Sequence, residues 1–237
     1  MKNKCLQVIG LVCLTLISFV PAGCQKSKSD ADKTAEQPGK IPGMGNEPGN
    51  LTGQAFQLPK GISLKGVIVG DEDPGGNACK VDGSGENVMV QLTLQRDSTG
   101  SVPIIVKFPR GLTIVSQGEG YQNGILVEEI SVPVPPMPPG SGGVSCKVNL
   151  LLQCLNKDKL VSDATASYKF GPITDSKPIK DFLSKLAGKK VTYSDYNQDG
   201  NLWRDCNAGI QDALWNITDG RGLTQEDLDF IRSLPSK

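Results

Sequence analysis

The sequence predicts a mainly β protein: an antiparallel Ig-like β-sandwich carrying a small C-terminal helical subdomain. Three observations carry this. Between residues 55 and 174 apolar residues alternate with polar ones in short runs, as half-buried strands require. Gly and Pro punctuate those runs at close intervals, which suits an antiparallel sandwich. After Thr174 the apolar spacing changes from two to three and four, the period of a helix buried along one face.

Taken in order, the chain opens with Lys2 and Lys4 ahead of an apolar run, Leu6 to Val20, that is too short for a membrane span. Residues 25–54 are polar, with Lys, Ser, Gly and Pro, and predict a disordered tether. The sandwich then occupies 55–174. Ile62, Leu64 and Val67-Ile68-Val69 give a first strand, and Val88, Val90, Leu92 and Leu94 alternate cleanly in a second. Ile104-Ile105-Val106 and Leu112-Thr113-Ile114-Val115 follow, and Asn123-Gly124 is a turn dipeptide ahead of Ile125-Leu126-Val127. Pro133 to Pro139 reads as a rigid connector. Val144, Cys146, Val148, Leu150, Leu152 and Cys154 then share one face of a single long strand.

The extension, residues 175–237, predicts three helices. Ile179, Phe182, Leu183 and Leu186 fall on one helical face, with Gly188 as the stop. Ile210, Ala213, Leu214 and Ile217 repeat that spacing. Thr224 and Asp227 make a capping-box pair, flanked by Leu223 and Leu228 as a hydrophobic staple, so that Leu228, Ile231 and Leu234 face inward.

Composition excludes several chemistries. The chain has no histidine, so Ser-His-Asp triads, Cys-His pairs and histidine metal sites are ruled out. No G-x-S-x-G nucleophile elbow occurs either. Lys and Arg number 25 and so do Asp and Glu, a balance that does not suggest a basic surface for nucleic acid.

Ala22-Gly23-Cys24, a cysteine directly after small residues, resembles the lipobox of bacterial lipoproteins, although Pro21 stands where that pattern carries Leu. The resemblance implies that residues 1–23 are a cleaved signal peptide and that Cys24 becomes the lipidated first residue, anchoring the chain to a membrane of the bacterial cell envelope. Gln25 supplies no acidic retention cue, so the outer membrane is the expected location, with the domain periplasmic or surface-facing.

On that reading Cys5 and Cys13 leave with the signal, and Cys79, Cys146, Cys154 and Cys206 remain in an exported chain, a set that suggests two disulfides. Cys146 and Cys154 lie eight places apart on one strand, roughly 26 Å, beyond disulfide reach. Their partners therefore come from Cys79 and Cys206.

The segment Ile210-Gln211-Asp212-Ala213-Leu214-Trp215, running on to Thr218-Asp219-Gly220, together with Cys154-Leu155-Asn156, resembles the thioester domains of bacterial surface adhesins. The likeness spans Val144 to Gly220, and Gln153 stands where that family has an aromatic residue. It implies that the Cys154 thiol attacks the Gln211 side-chain amide, expels ammonia and leaves an internal thioester that acylates amines on a target surface.

Asp195-x-Asn197-x-Asp199-Gly200-x-Leu202 matches the first half of an EF-hand-like calcium loop, with Asp205 one place before the closing position. Asp195, Asn197, Asp199 and Asp205 are thus candidate calcium ligands of weak affinity, with a polar Asx-turn loop as the alternative. Asp71, Glu72 and Asp73 form a third cluster, in a Gly/Pro loop that reads as a solvated turn.

The sequence thus points to a lipid-anchored binding or adhesion module, not an enzyme, whose ligand is a protein or glycan surface. The alternative is a structural lipoprotein without covalent chemistry, stapled by Cys79–Cys146 and Cys154–Cys206 disulfides.

Overall fold

A computed structural model describes residues 36–71 and 78–237. The signal peptide, Cys24, the first part of the expected tether and the Glu72-Asp73 pair lie outside the described residues. In chain order the strands are β1 (Gly53–Ala55), β2 (Ile62–Leu64), β3 (Ile68–Gly70), β4 (Lys80–Gly83), β5 (Val88–Arg96), β6 (Ile104–Phe108), β7 (Leu112–Ser116), β8 (Gly124–Ile125), β9 (Ile130–Val134), β10 (Val144–Cys154) and β11 (Ser167–Thr174). The helices α1 (Lys177–Lys185), α2 (Gly200–Thr218) and α3 (Gln225–Ser233) follow, with a 3₁₀ turn at Tyr193–Tyr196 before α2.

The chain is mainly β and its helices come last, as the sequence predicts. The strand arrangement differs from an Ig-like sandwich. β5, β3, β11, β7, β8 and β10 pair in sequence, and β10 pairs back onto β5, which closes a six-stranded barrel. Its longest seam is the antiparallel pairing of β5 with β10, from Val144 opposite Arg96 to Leu152 opposite Val88. Closure removes sheet edges from this part of the molecule. β4 adds to β10 in parallel, and Cys79, just before it, is joined to Cys146 by a disulfide with the two Cα atoms 5.6 Å apart.

Several local expectations are revised. Asn123-Gly124 is not a hairpin turn. Gly124 lies in β8 between β7 and β10, where a Cβ would come within 2.8 Å of both Leu152 and Val88. Pro133 belongs to β9, which pairs only with β6 among the described strands, an edge position of the kind where a strand tolerates proline. The single first strand divides into β2 and β3, separated by an exposed Val67.

Two apolar cores result. One fills the barrel and includes Ile68, Val90, Leu92, Phe108, Ile114, Val148, Leu150, Leu152, Cys154 and Tyr168. The other lies between the helices and the outside of the barrel, where Phe182, Leu186, Ile210, Leu214 and Ile217 meet Ile125, Val127 and Leu155. The second half of β10 separates them, so that residues 148–154 are all buried and the simple alternation of the strand is lost.

The tether expectation fails from residue 36 onward. Ile41 and Met44 are buried in the second core, and the segment crosses the end of α2 as a strap. Gly39 N–H donates to Ile217 O at 2.8 Å and Gly45 N–H to Leu155 O at 2.7 Å. Both glycines adopt positive φ, +73° and +54°, and a Cβ at either would collide with backbone carbonyls of Thr218 or Gly220. Glycine at these places serves close approach, not flexibility. Replacing Gly45 by Ala is therefore expected to destabilise the domain by about 1–3 kcal/mol, read from the shift of a urea unfolding midpoint. An unmoved midpoint would mean that the strap is not seated as described.

Candidate functional site

β10 ends at Cys154, whose side chain is fully buried at the mouth of the barrel. α2 brings Gln211 to the same place. The helix begins at Asp199, whose carboxylate accepts from Asn201 N–H at 3.0 Å and Leu202 N–H at 3.2 Å and so caps its first turn. From there α2 runs along the barrel with Trp203, Cys206, Asn207, Ile210, Gln211, Leu214 and Ile217 buried. Gln153 anchors it midway: its amide donates to Asn207 Oδ1 at 2.8 Å and to the Ser84 carbonyl. Where the thioester-domain pattern has an aromatic residue, a buried polar link joins strand to helix.

Cys154 and Gln211, 57 positions apart, are in direct contact. Cys154 N–H donates to Gln211 Oε1 at 2.6 Å, and Gln211 Nε2 donates to Cys154 O at 2.9 Å. The carboxamide is thus held by both backbone groups of Cys154. Asn156 N–H donates to the Cys154 sulfur at 3.2 Å. The Trp215 indole leans toward the same sulfur, close enough to favour the thiolate though not to complete a hydrogen bond. Lys157 places its ammonium over that indole, 5.2 Å from the ring centroid. Beyond Trp215 lies a groove of about 410 Å³ lined by Asp212, Asn216, Glu226 and Phe230 among others.

Burial dominates the electrostatics of the thiol. It pushes Cys154 from 9.0 up to about 11, against the smaller opposing effects of Asn156 N–H and Trp215. Cys206 is raised as well, first by burial.

The expected Cys154–Cys206 disulfide is not formed; both are free thiols. Their side chains occupy different cores: Cys154 lines the barrel, whereas Cys206 packs among the helices and directs its thiol to Lys190 O at 3.6 Å. Cys154 is therefore not blocked.

The candidate calcium ligands do not converge. Asp195 accepts from the N–H groups of Val191 and Thr192, each at 2.9 Å, in a capping box of the 3₁₀ turn. Asp199 caps α2, Asn197 is the left-handed residue that ends the turn, and Asp205 is exposed on the helix. Among the described residues no three acidic, cysteine or histidine groups come together as a metal site. Asp195 and Asp199 serve as caps of the 3₁₀ turn and of α2.

The sequence marks Cys154, Gln211, Asn156 and Trp215 but not the strap, which reaches the site at Asn156. Its only signal was Ile41 and Met44 within a polar stretch. Comparison with protein-family models, with curated proteins and with solved structures found no match for this chain. No helix among the described residues is long and apolar enough to cross a membrane.

The raised thiol carries a pH dependence. In the unfolded chain Cys154 ionises near the ordinary value, so the folded state, which holds it neutral, loses stability as pH climbs from about 9 toward 11. Below that window the contribution is complete. The alkaline fall in melting temperature of unreacted protein is expected to be shallower in Cys154→Ser. Parallel curves for the two proteins would contradict the burial assigned to this thiol.

Proposed function

We propose that this chain is a lipid-anchored protein of the bacterial cell envelope that attaches covalently to amines on a target surface through a thioester between Cys154 and Gln211. The observation that carries the reading is the two-bond grip of the Cys154 backbone on the Gln211 carboxamide. Anchoring through Cys24 follows the lipobox resemblance, and the outer membrane remains the preferred location. The Cys79–Cys146 disulfide supports export to an oxidising compartment.

The chemistry follows from the contacts. The Cys154 sulfur attacks Gln211 Cδ, a C–S bond forms and the C–N bond breaks. The amide nitrogen leaves as ammonia, taking the thiol proton with it. Negative charge builds on Oε1 during the attack, and Cys154 N–H already donates to that oxygen, which makes it a pre-set oxyanion donor. Cys154 O holds the leaving nitrogen on the opposite side of the group. Burial of the sulfur and the Trp215 ring beside it protect the thioester from water.

In the second step an amine nitrogen attacks the same carbon. An amide forms between Gln211 and the target, and Cys154 returns as a thiol. Each molecule reacts once, so the chain is an adhesion module and not an enzyme. The target is an amine-bearing protein or glycan surface.

Methylamine tests this reading. Wild-type protein is expected to take up one label at Gln211, located by peptide mass. Gln211→Ala is expected to take up none, while staying folded at a cost of about 1–3 kcal/mol for the backbone groups it strands. Failure of the wild type to label would end the covalent reading and leave a non-covalent structural lipoprotein with one disulfide.

A further inference from the structure

Cys154 has a difficulty that the fold must meet. Its burial disfavours the thiolate, and the chain has no histidine to take the proton. Among the described residues the hydrogen bond given to its sulfur comes from Asn156 N–H, at 3.2 Å. A neutral donor aimed at a buried sulfur stabilises negative charge there without adding a charge of its own.

The orientation of that N–H is fixed from outside the strand. It belongs to the peptide plane between Leu155 and Asn156. The carbonyl of the same plane accepts from Gly45 N–H of the strap at 2.7 Å. With its oxygen pinned by the strap, the plane presents its N–H to the sulfur on the other side. The Asn156 side chain completes the lock. Its Nδ2 donates to Gly45 O at 2.9 Å and to Gly43 O at 3.2 Å, and its Oδ1 accepts from Asn123 N–H at 3.0 Å. Leu155 N–H in turn donates to Asn123 O at 2.9 Å.

The strap is itself held at a fixed height. Its glycines sit against the Thr218 and Gly220 carbonyls at the end of α2, and Ile41 and Met44 are buried beneath it. One segment thus touches the turn after Cys154 and the helix that carries Gln211.

We propose that Asn156 is a positioning residue for the Cys154 sulfur, set in place by the strap formed by residues 36–50. Its consequence for thioester formation rests on the function proposed above; its effect on the thiol does not. Asn156 acts through Cys154: its side chain holds the turn, and the turn holds the donor on the sulfur. Without the side chain the plane keeps the Gly45 N–H bond to its oxygen but loses the three bonds that lock the turn, and the donor is held less firmly on the buried sulfur.

The test separates the two ideas. In a Gln211→Ala, Cys206→Ser background, where no thioester can form and Cys154 is the sole free thiol of the described domain, the ultraviolet absorbance of the thiolate, followed against pH as the difference from the same protein with Cys154→Ser, reports ionisation of the buried sulfur without needing a reagent to reach it. Adding Asn156→Ala is expected to shift that profile upward by about one unit, about a tenfold smaller thiolate fraction at any pH below the midpoint. Circular dichroism at each pH reports that the fold persists. If the alanine variant does not fold, Asn156→Ser serves: it is too short to reach Gly43 O and Gly45 O, adds no charge near the sulfur, and the same upward shift is expected.

In the otherwise wild-type chain, ammonium is first used to restore the Gln211 amide. The thioester then re-forms on removal of ammonia, about tenfold more slowly in Asn156→Ala. An unchanged ionisation profile in a folded variant overturns the positioning role, even if the wild type loses ammonia. A shifted profile in a protein that never loses ammonia upholds the positioning role and refutes the thioester.

Discussion

The reciprocal pair of hydrogen bonds between the Gln211 carboxamide and the Cys154 backbone is the constraint on which the rest of the molecule converges. A side-chain amide buried at a strand end needs both a donor and an acceptor, and an unmade bond there is costly. Only a helix fixed in height and rotation along the barrel can supply both. The Asp199 cap sets where α2 begins, the Gln153–Asn207 link sets its rotation, and the strap limits its end. Each of these contacts is remote from the sulfur, yet each helps decide where the Gln211 carbonyl carbon lies.

The same arrangement explains why the domain has two cores. A thiol placed in the barrel interior is shielded from water, whereas the amide must arrive from outside the barrel. β10 lies between the two, with Cys154 facing one core and Leu155 the other. Trp215 spans the boundary. It packs against the barrel core from α2 and separates the sulfur from the outer groove that carries Asp212 and Glu226.

Much of this was legible in the sequence, for reasons that can be named. β5 buries every second residue and so announces itself by alternation. α1 and α3 are marked by apolar spacing, and the Thr224–Asp227 capping box forms as written. The Cys154–Gln211 pairing came from motif likeness alone, since no periodicity relates residues 57 apart. What stayed hidden was neighbourhood. Alternation says which face of a strand is buried but not which strand lies beside it, so barrel closure through a two-residue β8 had no local signal. The aspartates near residue 200 have the spacing of calcium ligands because helix and turn caps also need oxygens at short intervals. The strap misled because glycines that permit close packing are indistinguishable, in one sequence, from glycines that permit disorder.

The central claim is that Cys154 and Gln211 are chemically joined in the mature protein. The most direct measurement is the intact mass of residues 25–237, made in an exporting host and kept free of reductant and amines. The account predicts a mass short by one ammonia and by the two hydrogens of the Cys79–Cys146 disulfide, with the ammonia restored in Cys154→Ala. A mass short by four hydrogens and no ammonia would contradict it, because Cys154 would then be paired with Cys206. A mass short by the two hydrogens alone would contradict it as well, because Cys154 would then be an unreacted thiol.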